Sequence, residues 1–159
     1  MSMFFSQQWA DGVKEALNAG PNERAQAGKL QEYWHFYNLI RYTYQSSWAL
    51  GARNIPAELG GGTRYLVVGW NEGFVNECRL LDESEPVDAT YVLAADYHDW
   101  KALFEGYDAL RTVMYRRLLL EDGDLLEFFK AIYFFVECLA LIATVPTTFP
   151  VNSGVPVAV

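Results

Sequence analysis

Two histidines, two cysteines and one glutamate in an apolar run are the residues of this chain best suited by type to chemistry. His98 stands next to Asp99, an acid–base pair on paper. Neighbouring residues on a helix point in different directions, however, so a capping or surface role fits His98 better than hydrolysis or isomerisation. His35 has no acidic or thiol neighbour at ligand spacing. Cys78 and Cys138 lie far apart and lack metal-ligand spacing, which reads as two buried free thiols in a reducing cytoplasm. Glu137 interrupts the apolar run Ala131 to Val145. If buried, its charged form needs a partner, and Arg41 is the candidate. The run Gly60-Gly61-Gly62 lacks the Lys and Ser/Thr of a phosphate loop, so no nucleotide site is expected. Asp82, Glu83, Glu85 and Asp88 read as a solvated acidic link around Pro86. No catalytic residue, metal or cofactor is expected.

The elements that would position these residues follow from periodicity and punctuation. Ser6 to Ala19 reads as a helix, with Ser6 as cap and Trp9, Val13, Ala16 and Leu17 as its stripe, closed by Gly20-Pro21. Glu23 to Gln31 reads as a second, weaker helix. Tyr33 to Gln45 fits two periods. With period two, Trp34, Phe36, Ile40, Tyr42 and Tyr44 share a face; with helical period, Leu30, Trp34, Tyr37, Ile40, Tyr44 and Trp48 line up. The aromatic and β-branched content favours a strand. Ser46 to Thr63 is a connection, with Ala49 to Gly62 a candidate flap. Arg64 to Trp70 and Phe74 to Leu81 form a hairpin turning at Asn71-Glu72-Gly73.

Ala89 to Ala95 is a strand, and Asp96 can cap the helix carrying Trp100, Leu103 and Phe104, stopped by Gly106. Asp108 opens a helix with Leu110, Val113 and Met114. Leu118 to Leu120 is a short strand. Asp124 caps a last helix to about Thr144, apolar nearly all round, which implies burial on two sides. One side meets the sheet; the other meets a partner subunit or a ligand chamber. The expected division is one domain over residues 1–159: a helix at 6–19, a sheet over 33–122 with inserted helices over 97–116, a helix at 124–144 and an extended tail at 146–159.

The order of these elements resembles the sterol carrier protein family, the type-two lipid-carrier fold. The residues carrying the likeness are Asp99, Trp100, Gly106, Asp108, Gly123 and Asp124, with Trp9, Ala16, Leu17 and Asn18 in the opening helix. Two features depart from the family pattern. Tyr115-Arg116-Arg117 stands where the family has a glycine before the short strand, and LLLEDGDL is about one residue longer than usual. Both bear on the local cavity shape rather than the fold. The resemblance implies an α+β fold, a five-stranded, mainly antiparallel sheet covered by helices, with an apolar cavity between sheet and helices.

Composition fits an apolar ligand chamber, a dense core or a dimer interface equally well. Among 159 residues the net charge is −8 and 16% are aromatic, and the pI is about 4.7. An acidic surface cannot displace counterions from nucleic acid, and the longest apolar run is short for a membrane span. The candidate cavity lining is Trp34, Phe36, Tyr42, Leu66, Trp70 and Phe74 on the sheet, with Trp100, Phe104, Met114, Phe128, Ile132 and Phe135 on the helices. Residue types alone favour a solid core here; the resemblance shifts the balance to a cavity. The expected function is non-catalytic binding or transfer of a fatty acid, fatty acyl-CoA or sterol-like lipid. The alternative is a filled core in a homodimer or an accessory subunit of a lipid- or aromatic-metabolising enzyme.

Overall fold

Residues 2–149 are described by the computed structural model. Along the chain they form β1 (Ser2–Met3), α1 (Gln7–Ala19), α2 (Glu23–Ala27), α3 (Gln31–Thr43) and β2 (Ser46–Arg53). After a 3₁₀ turn at Ala57–Leu59 come β3 (Arg64–Asn71), β4 (Phe74–Leu80), β5 (Tyr91–Asp96), α4 (Tyr97–Phe104) and α5 (Ala109–Met114). The chain continues as β6 (Leu119–Asp122), α6 (Leu125–Lys130), α7 (Ile132–Ile142) and β7 (Thr147–Thr148). The main sheet has the order β4-β3-β2-β5-β6; β2 and β5 run parallel and the other neighbours antiparallel. This is the five-stranded, mainly antiparallel sheet expected. β1 and β7 form a separate parallel pair.

The expected strand over Tyr33 to Gln45 is a helix, and the first long strand lies in the stretch read as a connection. The helical stripe decides it. Trp34 and Tyr37 are buried, and Tyr37 packs on Phe134 with ring centroids 5.3 Å apart. Aromatic content favours a strand only weakly, and a buried face at helical spacing overrides it. Phe36 and Tyr42 therefore point to solvent from α3. Trp48, Leu50 and Ala52 of β2 form the inner face that the stripe at 34–44 was expected to supply.

The hairpin forms as expected, but with a two-residue loop: Glu72 (φ 48°) and Gly73 (φ 87°) both take the left-handed conformation. A register shift between Gly69 and Trp70 pairs Trp70 with Val75. A one-residue slip exchanges the faces of a strand. Val75 thus enters the core and Phe74, expected inside, is exposed. The loop tip docks on the end of α3, where the Gly73 N–H donates to the Tyr44 carbonyl (3.0 Å) and Arg41 Nε to that of Gly73 (3.3 Å).

The inner face carries Trp48, Leu50, Leu66, Val68, Trp70 and Leu93, all buried. Trp48 and Trp70 are 5.3 Å apart, and Phe135 (4.9 Å from Trp48) and Phe134 (5.2 Å from Trp70) close over them from α7. On the opposite face Glu121 accepts from Arg53 (3.2 Å) and Tyr65 (3.0 Å). The last helix is two helices, not one. At Ala131 (φ −114°, ψ 26°) the ladder breaks, its N–H bonding Phe128 at 3.2 Å. No Gly or Pro marks this break. The second apolar side of α7 meets α3, where Phe134 packs on Tyr37. The start of the expected tail pairs as β7, and Val151 to Val159 lies outside the described residues.

A Cβ on Gly73 would stand 2.5 Å from the Arg41 carbonyl oxygen. Gly73→Ala should therefore cost more than about 1 kcal/mol, from clash and positive φ together. The measurement is urea unfolding, where the midpoint should fall with the slope unchanged.

Candidate apolar site

Between the sheet and the helices, where a cavity was expected, the gap beside Trp100 is closed. The gap bounded by Ala95, Trp100, Leu103, Leu118 and Leu139 has essentially no room for a water molecule (≈ 0 Å³). Trp100 is buried there with its indole N–H donating to the Gly51 carbonyl at 2.9 Å. One open apolar space lies at the edge of the sheet, where β5 and β6 meet α5 and α6.

Five local features build this edge. Asp108 caps α5 by accepting from the Arg111 N–H at 2.9 Å. The chain then reverses at Arg116 into β6, which pairs Leu119 and Leu120 with Ala94 and Leu93. The register shifts at Glu121, which stands unpaired between Leu120 and Asp122. Gly123 (φ 119°) turns into α6, and a Cβ there would lie 2.7 Å from the Thr90 carbonyl. Asp124 caps α6, accepting from Leu126 (3.0 Å) and Glu127 (3.2 Å).

The result is a cleft of about 260 Å³ lined by Leu93, Val113, Met114, Arg116, Leu118, Leu119, Leu120, Leu125, Phe128 and Phe129. Its roof, α6, is anchored by one buried residue, Phe128, which packs on Tyr91 (5.2 Å) and Phe135 (4.9 Å). Leu125 and Phe129 are half exposed, and Leu126 is 77% exposed. The roof therefore rests on little buried area, between the turn at Gly123 and the break at Ala131.

Of the expected lining, the cleft brings together Met114 and Phe128. Leu66, Trp70, Ile132 and Phe135 are buried in the core, as is Trp34, whose indole donates to the Gln26 carbonyl at 2.8 Å. Phe104 is half-buried, 5.9 Å from Phe4, and Phe36, Tyr42 and Phe74 are exposed elsewhere. The leucines of 118–120 and 125 were legible as apolar but not as a cleft. The one visible signal was Tyr115-Arg116-Arg117 in place of a glycine.

The polar candidates resolve differently. Asp96 does not cap α4 with its side chain; it accepts from Asn54 at 3.1 Å. His98 is exposed, 3.6 Å from Asp99, and Asp99 also pairs with Arg117 at 3.2 Å. Asp96, His98 and Asp99 cluster closely enough to hold a metal ion, but both carboxylates already face arginines. Glu137 is buried and paired, with Lys29 and the Tyr33 hydroxyl rather than Arg41. Arg41 instead donates to the carbonyls of Leu17 (3.3 Å) and Asn18 (2.7 Å).

The whole belongs to the α+β architectures in which helices cover a mainly antiparallel sheet. Within that class, solved structures place it more narrowly. A crystal structure of sterol carrier protein 2 superposes with a TM-score of 0.69 at 20% identity, covering 90% of this chain and 99% of that one. The solution structure of a conserved hypothetical protein from Thermus thermophilus, described as possibly a sterol carrier protein, gives 0.66 at 19% identity, covering 93% of each chain. No family model and no curated protein matches the chain. The chain has the sterol-carrier-protein-2 fold, as its order of elements implied.

Burial raises the titration points of several core groups. The Tyr33, Tyr37 and Cys138 protons are held well above their ordinary range, and Tyr44 and Cys78 are pushed up to about 12. In the unfolded chain such thiols and phenols titrate near 9.0 and 10.0. The folded state thus binds these protons more tightly, so this stability is complete below about pH 9 and lost as pH rises through about 12. Urea midpoints measured from pH 7 to 11 should be flat to about pH 8.5 and then fall. At pH 8 a thiol reagent should label neither cysteine until the protein is unfolded.

Proposed function

We propose that this protein binds an apolar small molecule (a fatty acid, fatty acyl-CoA or sterol-like lipid) without transforming it, and carries it between sites. The observation that carries this reading is the cleft under α6, where nine of ten lining residues are apolar. Small-molecule sites are concave and mostly apolar with few polar groups, typically about 300–1,000 Å³. The cleft falls just below that range, so α6 moves outward to admit a ligand, turning at Gly123 and Ala131. Each methylene buried contributes roughly 0.8 kcal/mol, which rewards chain length and discriminates weakly among ligands. The fold likeness supports the same reading. Among the described residues no helix is long and apolar enough to cross a membrane.

Native mass spectrometry of freshly purified protein, before and after organic extraction, should show an apolar mass that extraction removes. Leu125→Asp and Phe129→Asp should each weaken displacement of a fluorescent fatty acid at least tenfold, with the circular dichroism unchanged. Full affinity in both variants would move the ligand elsewhere.

A second reading is favoured by a different surface. Phe36, Leu39 and Tyr42 form an exposed row on α3. Beside it lies an apolar groove of about 430 Å³ lined by Tyr33, Phe36, Tyr37, Ile40, Tyr133 and Phe134. Exposed apolar patches of this kind mark association, and support a homodimer or an accessory subunit of a lipid- or aromatic-metabolising enzyme. Light scattering at micromolar concentration should give twice the chain mass for a homodimer, returning to one on Phe36→Glu with Leu39→Glu. A single-chain mass throughout excludes the homodimer.

A further inference from the structure

Arg116 is the one charged residue lining the cleft under α6. Its backbone is as informative as its charge. The end of α5 closes with Arg117 N–H donating to the Thr112 carbonyl (3.0 Å) and Arg116 N–H to that of Val113 (3.2 Å). This double closure puts the residue after the cap in the left-handed region, where glycine is the usual occupant. Here Arg116 holds that conformation, at φ 63°. An L-residue is disfavoured there by its Cβ, and arginine has no local hydrogen bond of the Asn or Asp kind to offset it. A strained position at a candidate site invites a functional explanation.

The surroundings sharpen this. Arg117, next in the chain, is engaged with Asp99 at 3.2 Å and lies over the Tyr107 ring at 4.0 Å. Arg53 and Arg79 each pair with two carboxylates. Arg116 has no ion pair or side-chain hydrogen bond among the described residues, in a chain whose net charge is −8. The cleft wall beside it is hydrocarbon, from Met114, Leu119, Leu125 and Phe129.

We propose that Arg116 anchors the headgroup of the ligand, and that the cleft selects single-chain amphiphiles ending in an anion, carboxylate or phosphate, over neutral lipids. This rests on the cleft being the binding site. A guanidinium offers two parallel donors that match a carboxylate or phosphate and are wasted on a lone hydroxyl.

The test compares laurate, dodecyl phosphate and dodecanol, three headgroups on one chain length, in native protein and in Arg116→Gly, Arg116→Gln and Arg116→Lys. Native protein should prefer one or both anions over dodecanol by about tenfold or more; which anion binds more tightly identifies the headgroup. The preference should collapse towards unity in the Gly and Gln variants and persist in part in Lys. Arg116→Gly should also melt about 2–4 °C higher, since glycine relieves the strained φ. An anion preference that survives Arg116→Gly, or equal binding of all three ligands by native protein, overturns the anchor while leaving the apolar site standing. If none of the three binds the native protein, the site itself falls as well.

Discussion

The contact on which the rest of the molecule depends is the seam of Trp48, Trp70, Phe134 and Phe135, where α7 lies against the inner face of the sheet. All four rings are buried, and their tilted and edge-on contacts are the geometries aromatic rings prefer. Because the seam fixes α7, it also fixes what flanks α7. α3 packs through Tyr37 on Phe134, and α6 hangs through Phe128 on Phe135. The same seam occupies the volume in which a cavity could have formed. Close-packed protein interiors yield little, so an opening comes from moving a whole element. Of the two helices that line the cleft, α6 is the less buried, holding Phe128 inside against Thr112 and Val113 of α5.

Much of the fold was legible because its signals are local. Ser6, Asp108 and Asp124 are caps whose side chains do accept first-turn amides. Gly73 and Gly123 stand where only a missing Cβ fits the backbone. The failures are non-local. Tyr33 to Gln45 carries both periods, and what decides between them is Phe134, far along the chain on α7. Phe74 was misplaced by a bulge at Gly69 and Trp70 that nothing in the strand's alternation announces. The break at Ala131 has no punctuating residue.

The site was legible in part for a related reason. Twelve large apolar residues were candidates for a lining, and residue type does not separate a ring that fills a core from one that faces a ligand. Position relative to the sheet edge separates them, and that follows from the register of β5 and β6. Met114 and Phe128 reach the cleft because they flank that edge; Trp70 and Phe135 fill the seam because they lie at its centre. Arg116 illustrates the converse. The triplet Tyr115-Arg116-Arg117 in place of a glycine stood out in the sequence, while the left-handed backbone of Arg116 became visible only with the chain reversal after α5.

The pairing of β1 with β7 has a consequence for how the chain is made. Ser2 and Met3 lie beside Thr147 and Thr148, and the Trp9 indole donates to the Thr147 hydroxyl at 3.1 Å. α1 also packs on α7. During synthesis the first helix leaves the ribosome long before α7. The β2–β3–β4 hairpins can pair as they emerge and α1 can dock on β4, but the side of α1 that meets α7 stays uncovered until residues beyond 132 arrive. Loop closure over such a separation is slow relative to local pairing. Vectorial folding of this molecule therefore finishes where it started, with β7 joining β1 and α7 closing on α1.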